Sequence, residues 1–204
     1  MNIYFVRHGK KEAQKVLNKD GYPDQGLTDL GRKQAEITGE YLADIQFDAI
    51  YSSDLIRAIQ TAERIARHQD TDGIVTDKRL LEINMGIFHT STEDEVKNEH
   101  PEFYQKFMTK DVDFRYPNGE TGEDVKNRVL NFLDDVKELP YNNIVVSCHG
   151  GVIRSIFSHF LGLEQHKRFN IHPSNCGISC LAYNESFRII SINESLHLNG
   201  MLSE

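Results

Sequence analysis

The sequence predicts a single three-layer α/β domain over residues 1–204, with a mostly parallel central sheet flanked by helices. Short apolar runs rich in β-favouring residues alternate with longer segments of helical periodicity. Two of these runs, at residues 3–6 and 144–146, lead to a histidine followed by glycine. No repeat, low-complexity tract or linker interrupts the chain, and its length suits one domain with a sizeable core.

The first strand, residues 3–6, is followed directly by Arg7, His8 and Gly9. Ligands of α/β proteins bind outside the carboxyl ends of strands, and glycine lets the backbone approach a ligand closely. The later strand ends in the same way, at His149, Gly150 and a second glycine. We therefore expect His8 and His149 to share one site.

Other interpretations of the two histidines stay open. A single histidine after a strand is usually a packed or solvated residue. The two could instead bind a metal, although metal-binding histidines usually have carboxylate or thiolate partners. Cys148 adjoins His149, but neighbours along a strand point to opposite faces of the sheet. We therefore expect no metal site.

After the first strand, a helix begins at Thr28, whose side chain can cap backbone N–H groups. A short strand at 47–51 then leads to a second helix, opened by residues 52–54. Arg57 lies in its first turn, off the apolar stripe. A helix N-terminus attracts anions, so we expect Arg57 to face the same opening as Arg7, the alternative being a solvated surface charge.

Glu82 lies between apolar neighbours after a short strand at 74–76. Partial desolvation of this carboxylate would suit a proton donor, although the spacing also allows it to point to solvent. Residues 92–110 predict a polar helix interrupted at Pro101, which we expect to cover one edge of the site.

The remaining chain continues the alternation of helices and strands. We expect a helix that starts at Thr121 and ends before Pro140, an apolar helix ended by Gly162, and a hairpin around residues 184–186. Two cysteines of the hairpin region have no further cysteine partners, so we expect them to pack in the core.

The formal net charge of the chain is −8. Such a surface repels nucleic-acid phosphates and anionic membranes, so we expect neither as a partner. An anion site must then be a local cationic pocket. The N-terminus lacks the layout of a signal peptide, no apolar run could span a bilayer, and the three cysteines suggest no disulfide framework. These features favour a cytoplasmic protein.

Several segments together, in order, resemble the histidine phosphatase superfamily, branch 1, also called the phosphoglycerate mutase-like fold. The Arg-His-Gly at residues 7–9 is similar to the family signature. The other similar segments are the one after its first loop, its second-arginine helix, its acid/base segment, a later helix and its second-histidine strand, at residues 27–35, 52–62, 80–86, 119–128 and 147–154.

The resemblance implies a role for each candidate residue. His8 would be the nucleophile, Glu82 the proton donor, and the phosphoryl group would be held by Arg7, Arg57 and His149. Further substrate contacts would come from Gly150, Lys10 and Gln14, the last standing where relatives often carry Asn. The resemblance implies no metal and no cofactor.

The function implied is a metal-independent phosphatase that hydrolyses phosphomonoesters of small metabolites through a phosphohistidine. The alternatives are a phosphoglycerate mutase-type phosphotransferase and a protein that binds a phospho-ligand without turnover. The chain lacks the Arg- and Tyr-bearing segment that such mutases place after the proton donor, which favours hydrolysis. Residues 87–90 also replace an aromatic-Glu-Gly turn of many relatives.

Overall fold

The computed structural model describes residues 1–13 and 17–201. Six strands form one sheet in the order β3-β2-β4-β1-β5-β6. The strands are β1 Asn2–Arg7, β2 Ala49–Ser52, β3 Ile74–Thr76, β4 Asn143–Cys148, β5 Ile178–Asn184 and β6 Ser186–Glu194. The helices are α1 Asp29–Tyr41, α2 Ile56–Ala66, α3 Glu93–Glu99, α4 Pro101–Thr109, α5 Gly122–Val136 and α6 Gly150–Phe160. Short 3-10 turns occupy Lys78–Leu80, Gly86–His89, Gln165–Asn170 and Leu196–Leu198.

The sheet is parallel across β3, β2, β4 and β1, and antiparallel where β5 and β6 complete it. Alternate residues of β1 enter different cores: Ile3 and Phe5 pack with α5 and α6, whereas Val6 packs with residues of α2. The predicted three-layer α/β fold, with its terminal hairpin, is therefore confirmed.

Two helix starts were predicted correctly from their caps. The Thr28 side chain accepts a hydrogen bond from the Gly31 N–H at 3.0 Å, and Thr121 forms a reciprocal capping box with Asp124. These caps fix the first turns of α1 and α5.

The predicted start of α2 at residues 52–54 is wrong, because the helix begins at Ile56. Ser52 still pairs with β4, and the chain then bends at Asp54 and Leu55 before the helix begins. The Ile56 N–H donates to Asp24 Oδ1 at 2.7 Å, so a carboxylate from a distant loop caps this helix.

Within the described part of the chain, no helix has the length and apolar character needed to cross a membrane.

Candidate active site

The two histidines meet because their strands are neighbours. Arg7 at the end of β1 pairs with Cys148 at the end of β4, and the His8 N–H donates to the Cys148 carbonyl at 2.9 Å. The rings of His8 and His149 are both buried, with centroids 5.2 Å apart. The structure thus brings the two predicted histidines together at one edge of the sheet.

His8 is held as a neutral ring with one defined nitrogen available. Its Nδ1 lies 2.7 Å from the Gly9 carbonyl oxygen. Since a carbonyl only accepts, Nδ1 must carry the hydrogen, which leaves the lone pair on Nε2. Burial first, and then the charges of Arg57 and Arg7, lower the pKa of His8 well below its usual 6.5. Nε2 is therefore unprotonated at neutral pH, as a nucleophile requires.

The backbone around His8 is fixed by side chains from distant segments. Asn175 Nδ2 donates to the His8 carbonyl at 2.8 Å, and the Gly9 N–H donates to Thr61 Oγ1 at 3.1 Å. A Cβ on Gly9 would collide with the carbonyl oxygen of Gly31, so only glycine lets the start of α1 approach this loop.

Arg7 and Arg57 both lie beside His8 at the cavity. Each is anchored through Nη1, Arg7 to the Pro173 carbonyl and Arg57 to the Pro23 carbonyl, both at 2.7 Å. The Nε of each is buried without a hydrogen-bond partner among residues 1–13 and 17–201. Burial lowers the pKa of both guanidinium groups, but arginine stays protonated. Arg57 is only 4% exposed, which excludes the solvated surface charge.

His149 caps α6 and is fully buried. Its Nε2 lies 2.8 Å from Ser53 Oγ, and that hydroxyl accepts from the Leu55 N–H at 3.3 Å. Burial, followed by the charge of Arg57, lowers its pKa well below 6.5. Its Nδ1 has no partner in the described ranges, so the ring keeps one polar atom for a ligand.

Glu82 faces the site rather than open solvent. Its Oε1 accepts hydrogen bonds from the N–H groups of Ile83 and Gly151, both at 2.9 Å. A Cβ on Gly151 would collide with that oxygen, which explains a glycine at the second position of α6. Both bonds use Oε1, and no described residue donates a hydrogen bond to Oε2.

A cavity of about 370 Å³ opens beside these groups. Of the predicted site residues, Arg7, His8, Arg57, Glu82 and Lys10 line it, with Lys10 exposed at the rim. Lining residues that the sequence did not indicate include Tyr22, Pro23, Met85, Phe88, His89 and Asn175. They come from loops and a 3-10 turn, where the sequence has no periodic pattern from which to predict which side chains face the cavity.

Two predicted positions are not among the residues that line this cavity, and a third is not described. His149 is buried and is not among the lining residues of this cavity. Gly150 lines an adjoining chamber, where a Cβ on it would lie 3.5 Å from Arg7 Nε. Gln14 falls outside the described residues.

The helices at residues 93–109 contribute to the site through one aromatic cluster. Phe103 and Phe107 of α4 contact Phe88, with ring centroids 5.5 and 4.9 Å apart. Phe88 in turn lines the cavity. The segment that replaces the aromatic-Glu-Gly turn thus forms part of the wall, supported from behind by α4.

No group of three or more His, Cys, Asp or Glu side chains in residues 1–13 and 17–201 is placed to hold a metal ion. The cysteines Cys148, Cys176 and Cys180 are buried and unpaired with one another. Burial raises the pKa of the Cys180 thiol to about 11 and that of Cys176 to about 12, as expected for packed thiols.

Residues 3–194 match the family model described as "Histidine phosphatase superfamily (branch 1)". The chain is 32% identical over 193 residues to "Probable phosphoglycerate mutase GpmB" of Escherichia coli, covering 94% of this chain and 89% of the relative. It is 30% identical over 196 residues to "Putative phosphoserine phosphatase 2" of Hydrogenobacter thermophilus, covering 96% of each. The solved structure of Bacillus stearothermophilus YhfR superposes with a TM-score of 0.84 at 23% identity, over 97% of this chain and 98% of that one, a likeness of fold.

Proposed function

The chain belongs to branch 1 of the histidine phosphatase superfamily, and we propose that it is a phosphatase that hydrolyses phosphomonoesters of small metabolites. The observation that carries the proposal is the state of His8: a buried neutral imidazole with Nε2 available, between two buried guanidinium groups. Superfamily members transfer phosphoryl groups, and this arrangement suits that chemistry.

In the first step, His8 Nε2 attacks the phosphorus and the bond to the ester oxygen breaks. The forks of Arg7 and Arg57 match the phosphoryl oxygens, and their charge stabilises the transition state. His149 Nδ1 is the further group proposed to contact the phosphoryl group. The leaving oxygen takes a proton from Glu82 and departs as an alcohol.

In the second step, water attacks the phosphohistidine. Glu82, now a carboxylate, takes the proton from that water, and the bond between phosphorus and His8 Nε2 breaks. Inorganic phosphate leaves, and both residues return to their starting states. Splitting the reaction in this way replaces one difficult displacement by two easier ones.

We expect turnover to survive prolonged treatment with EDTA. The proposed transition state is stabilised by the positive charge of Arg7 and Arg57 and by a donor on His149, with no metal step. Phosphate release is measured before chelation and after the EDTA has been removed by dialysis, and vanadate, a mimic of five-coordinate phosphorus, should inhibit both samples equally. If chelation removed activity and zinc or manganese restored it, the histidines would be metal ligands and the proposal would fail.

A phosphoglycerate mutase activity is the second candidate, because one relative carries that name at 32% identity. A mutase must keep water from its phosphohistidine, which calls for a closing lid or tail. The described C-terminal residues lie against α1 instead: Gln34 Nε2 donates to the Met201 carbonyl at 2.6 Å, and His197 Nε2 is 3.0 Å from Thr38 Oγ1. None of residues 196–201 lines the larger cavity.

The test is a panel of phosphomonoesters that includes 3-phosphoglycerate, the latter with and without a trace of 2,3-bisphosphoglycerate. We expect inorganic phosphate from at least one ester and no formation of 2-phosphoglycerate. Rapid formation of 2-phosphoglycerate with little free phosphate would establish the mutase instead. Binding of esters without any product would indicate a phospho-ligand binding protein.

A further inference from the structure

A second chamber of about 130 Å³ adjoins the larger cavity. Arg7, Glu82 and Met85 line both spaces, so a ligand at His8 has this chamber beside it. Its other lining residues are Ile83, Tyr116, Gly150, Gly151, Arg154, Arg168 and Phe169. Three arginines therefore face a space with one lining carboxylate, that of Glu82.

Arg168 is held rigidly and carries an unsatisfied donor. It is 2% exposed, and its Nη1 donates to Asp113 Oδ1 at 2.6 Å and to the Gln165 carbonyl at 2.7 Å. Its guanidinium lies 4.4 Å from the ring centroid of Phe169, a cation–π contact. Nη2 is buried without a hydrogen-bond partner in the described residues. A buried donor left unpaired is costly, so one at a chamber wall indicates a site for an acceptor.

Arg154 adds a charge that no carboxylate neutralises. Its Nε donates to the Ile171 carbonyl at 3.0 Å, and the described residues provide no ion pair and no other hydrogen bond for it. Its charge is among the causes that lower the pKa of both Arg7 and Arg168, after burial, so Arg154 lies close enough to repel each of them. An anion among them would relieve that repulsion.

We propose that this chamber, which we call the side chamber, binds a second anionic group of the substrate while the transferred phosphoryl group lies at His8. The proposal rests on the proposed phosphatase function and narrows its substrates to phosphomonoesters that also carry a carboxylate or a second phosphate. Arg154 and Arg168 donate to this group through their terminal nitrogens. They are specificity residues, because they contact a part of the substrate that does not react.

The test measures binding without turnover, in protein with the His8→Ala change. Calorimetry compares glycerol 3-phosphate with 3-phosphoglycerate, which replaces a neutral carbinol by a carboxylate, and with 1,3-propanediol bisphosphate, which supplies a second phosphate. We expect at least one anionic probe to bind about 10- to 100-fold more tightly than glycerol 3-phosphate, the range of a charge-assisted hydrogen bond. Whichever of 3-phosphoglycerate and 1,3-propanediol bisphosphate binds more tightly identifies the second anionic group as a carboxylate or a phosphate.

Arg154→Met in the same background should remove most of this preference and change the affinity for glycerol 3-phosphate by less than about twofold, since it removes a contact made only to the second anion. This variant is the informative one, because Arg168 also supports Asp113 and its loss could unfold the region. Arg188→Met, at an exposed position of β6, is the matched control and should leave every affinity unchanged.

Equal affinity for glycerol 3-phosphate and for the two probes with a second anionic group, including no measurable binding of any, would overturn the side chamber as an anion site. An equal loss of affinity for all probes in the Arg154→Met protein would overturn it as well. Because binding is measured without chemistry, failure of the phosphohistidine step would leave this result intact. Phosphate release without preference for a second anion would overturn this inference alone.

Discussion

Replacing His8 with alanine is expected to lower phosphate release by about 10⁵- to 10⁶-fold, the scale of losses when a covalent nucleophile is removed. His8 lines the cavity with a buried, unprotonated Nε2 beside Arg7 and Arg57. The nearby His149 is not expected to substitute, because it is not among the residues that line the cavity and its Nδ1 is proposed to donate to the phosphoryl group rather than to attack it. The measurement is steady-state phosphate release from the best ester of the panel.

The same two proteins allow the phosphohistidine intermediate to be detected directly. Brief mixing with substrate labelled in the phosphoryl group should label the wild-type chain with a bond that is labile in acid and stable in base, as a phosphohistidine is. The His8→Ala protein should take up no such label. His159→Ala, at an exposed position of α6, serves as the matched control and should keep both rate and label. Substantial turnover by the His8→Ala protein would contradict the covalent scheme.

The meeting of the two histidines was predictable from the sequence because both end apolar strands. The carboxyl ends of parallel strands gather at one edge, and a motif repeated at two strand ends therefore indicates one site. What the sequence did not contain was the sheet order, which places β1 directly beside β4. That adjacency lets the His8 N–H donate a hydrogen bond to the carbonyl of Cys148, the residue before His149.

The role of Arg57 was predicted for a reason that the structure changes. Its position near a helix N-terminus suggested an anion site made by backbone N–H groups. The structure shows Asp24 capping that terminus, so the first free N–H is already used. Arg57 reaches the site through its own side chain, anchored by the Pro23 carbonyl. The loop that supplies both partners has no regular period, so sequence patterns did not place it.

The position of Arg168 could not be predicted from the sequence pattern. It lies in a 3-10 turn after α6, with no apolar periodicity to assign it a face. Its position depends on an ion pair with Asp113 and on Gly122, where a Cβ would lie 2.7 Å from Nη1. Both partners are distant in sequence, and each is an ordinary residue by itself. A buried arginine built from such long-range contacts becomes visible only once the chain is folded.

Glu82→Gln is expected to slow the hydrolysis of alkyl phosphates by about 10²- to 10⁴-fold, the usual contribution of a general acid–base group. A glutamine preserves the side-chain oxygen that accepts from the N–H groups of Ile83 and Gly151, so the backbone around α6 should stay in place. Its amide cannot give a proton to the leaving oxygen. The variant should therefore bind substrate normally while kcat falls.

The decisive measurement is the dependence of this loss on the leaving group. An aryl phosphate with an acidic phenol departs without help, so its phosphorylation step should suffer much less than that of an alkyl phosphate. Burst kinetics isolate that step from the hydrolysis of the intermediate, which also uses Glu82 and should slow equally for every ester. Glu63→Gln, an exposed position on α2, is the matched control. Equal losses in the phosphorylation step for alkyl and aryl esters would mean that Glu82 holds the N-terminus of α6 in place and that another group donates the proton.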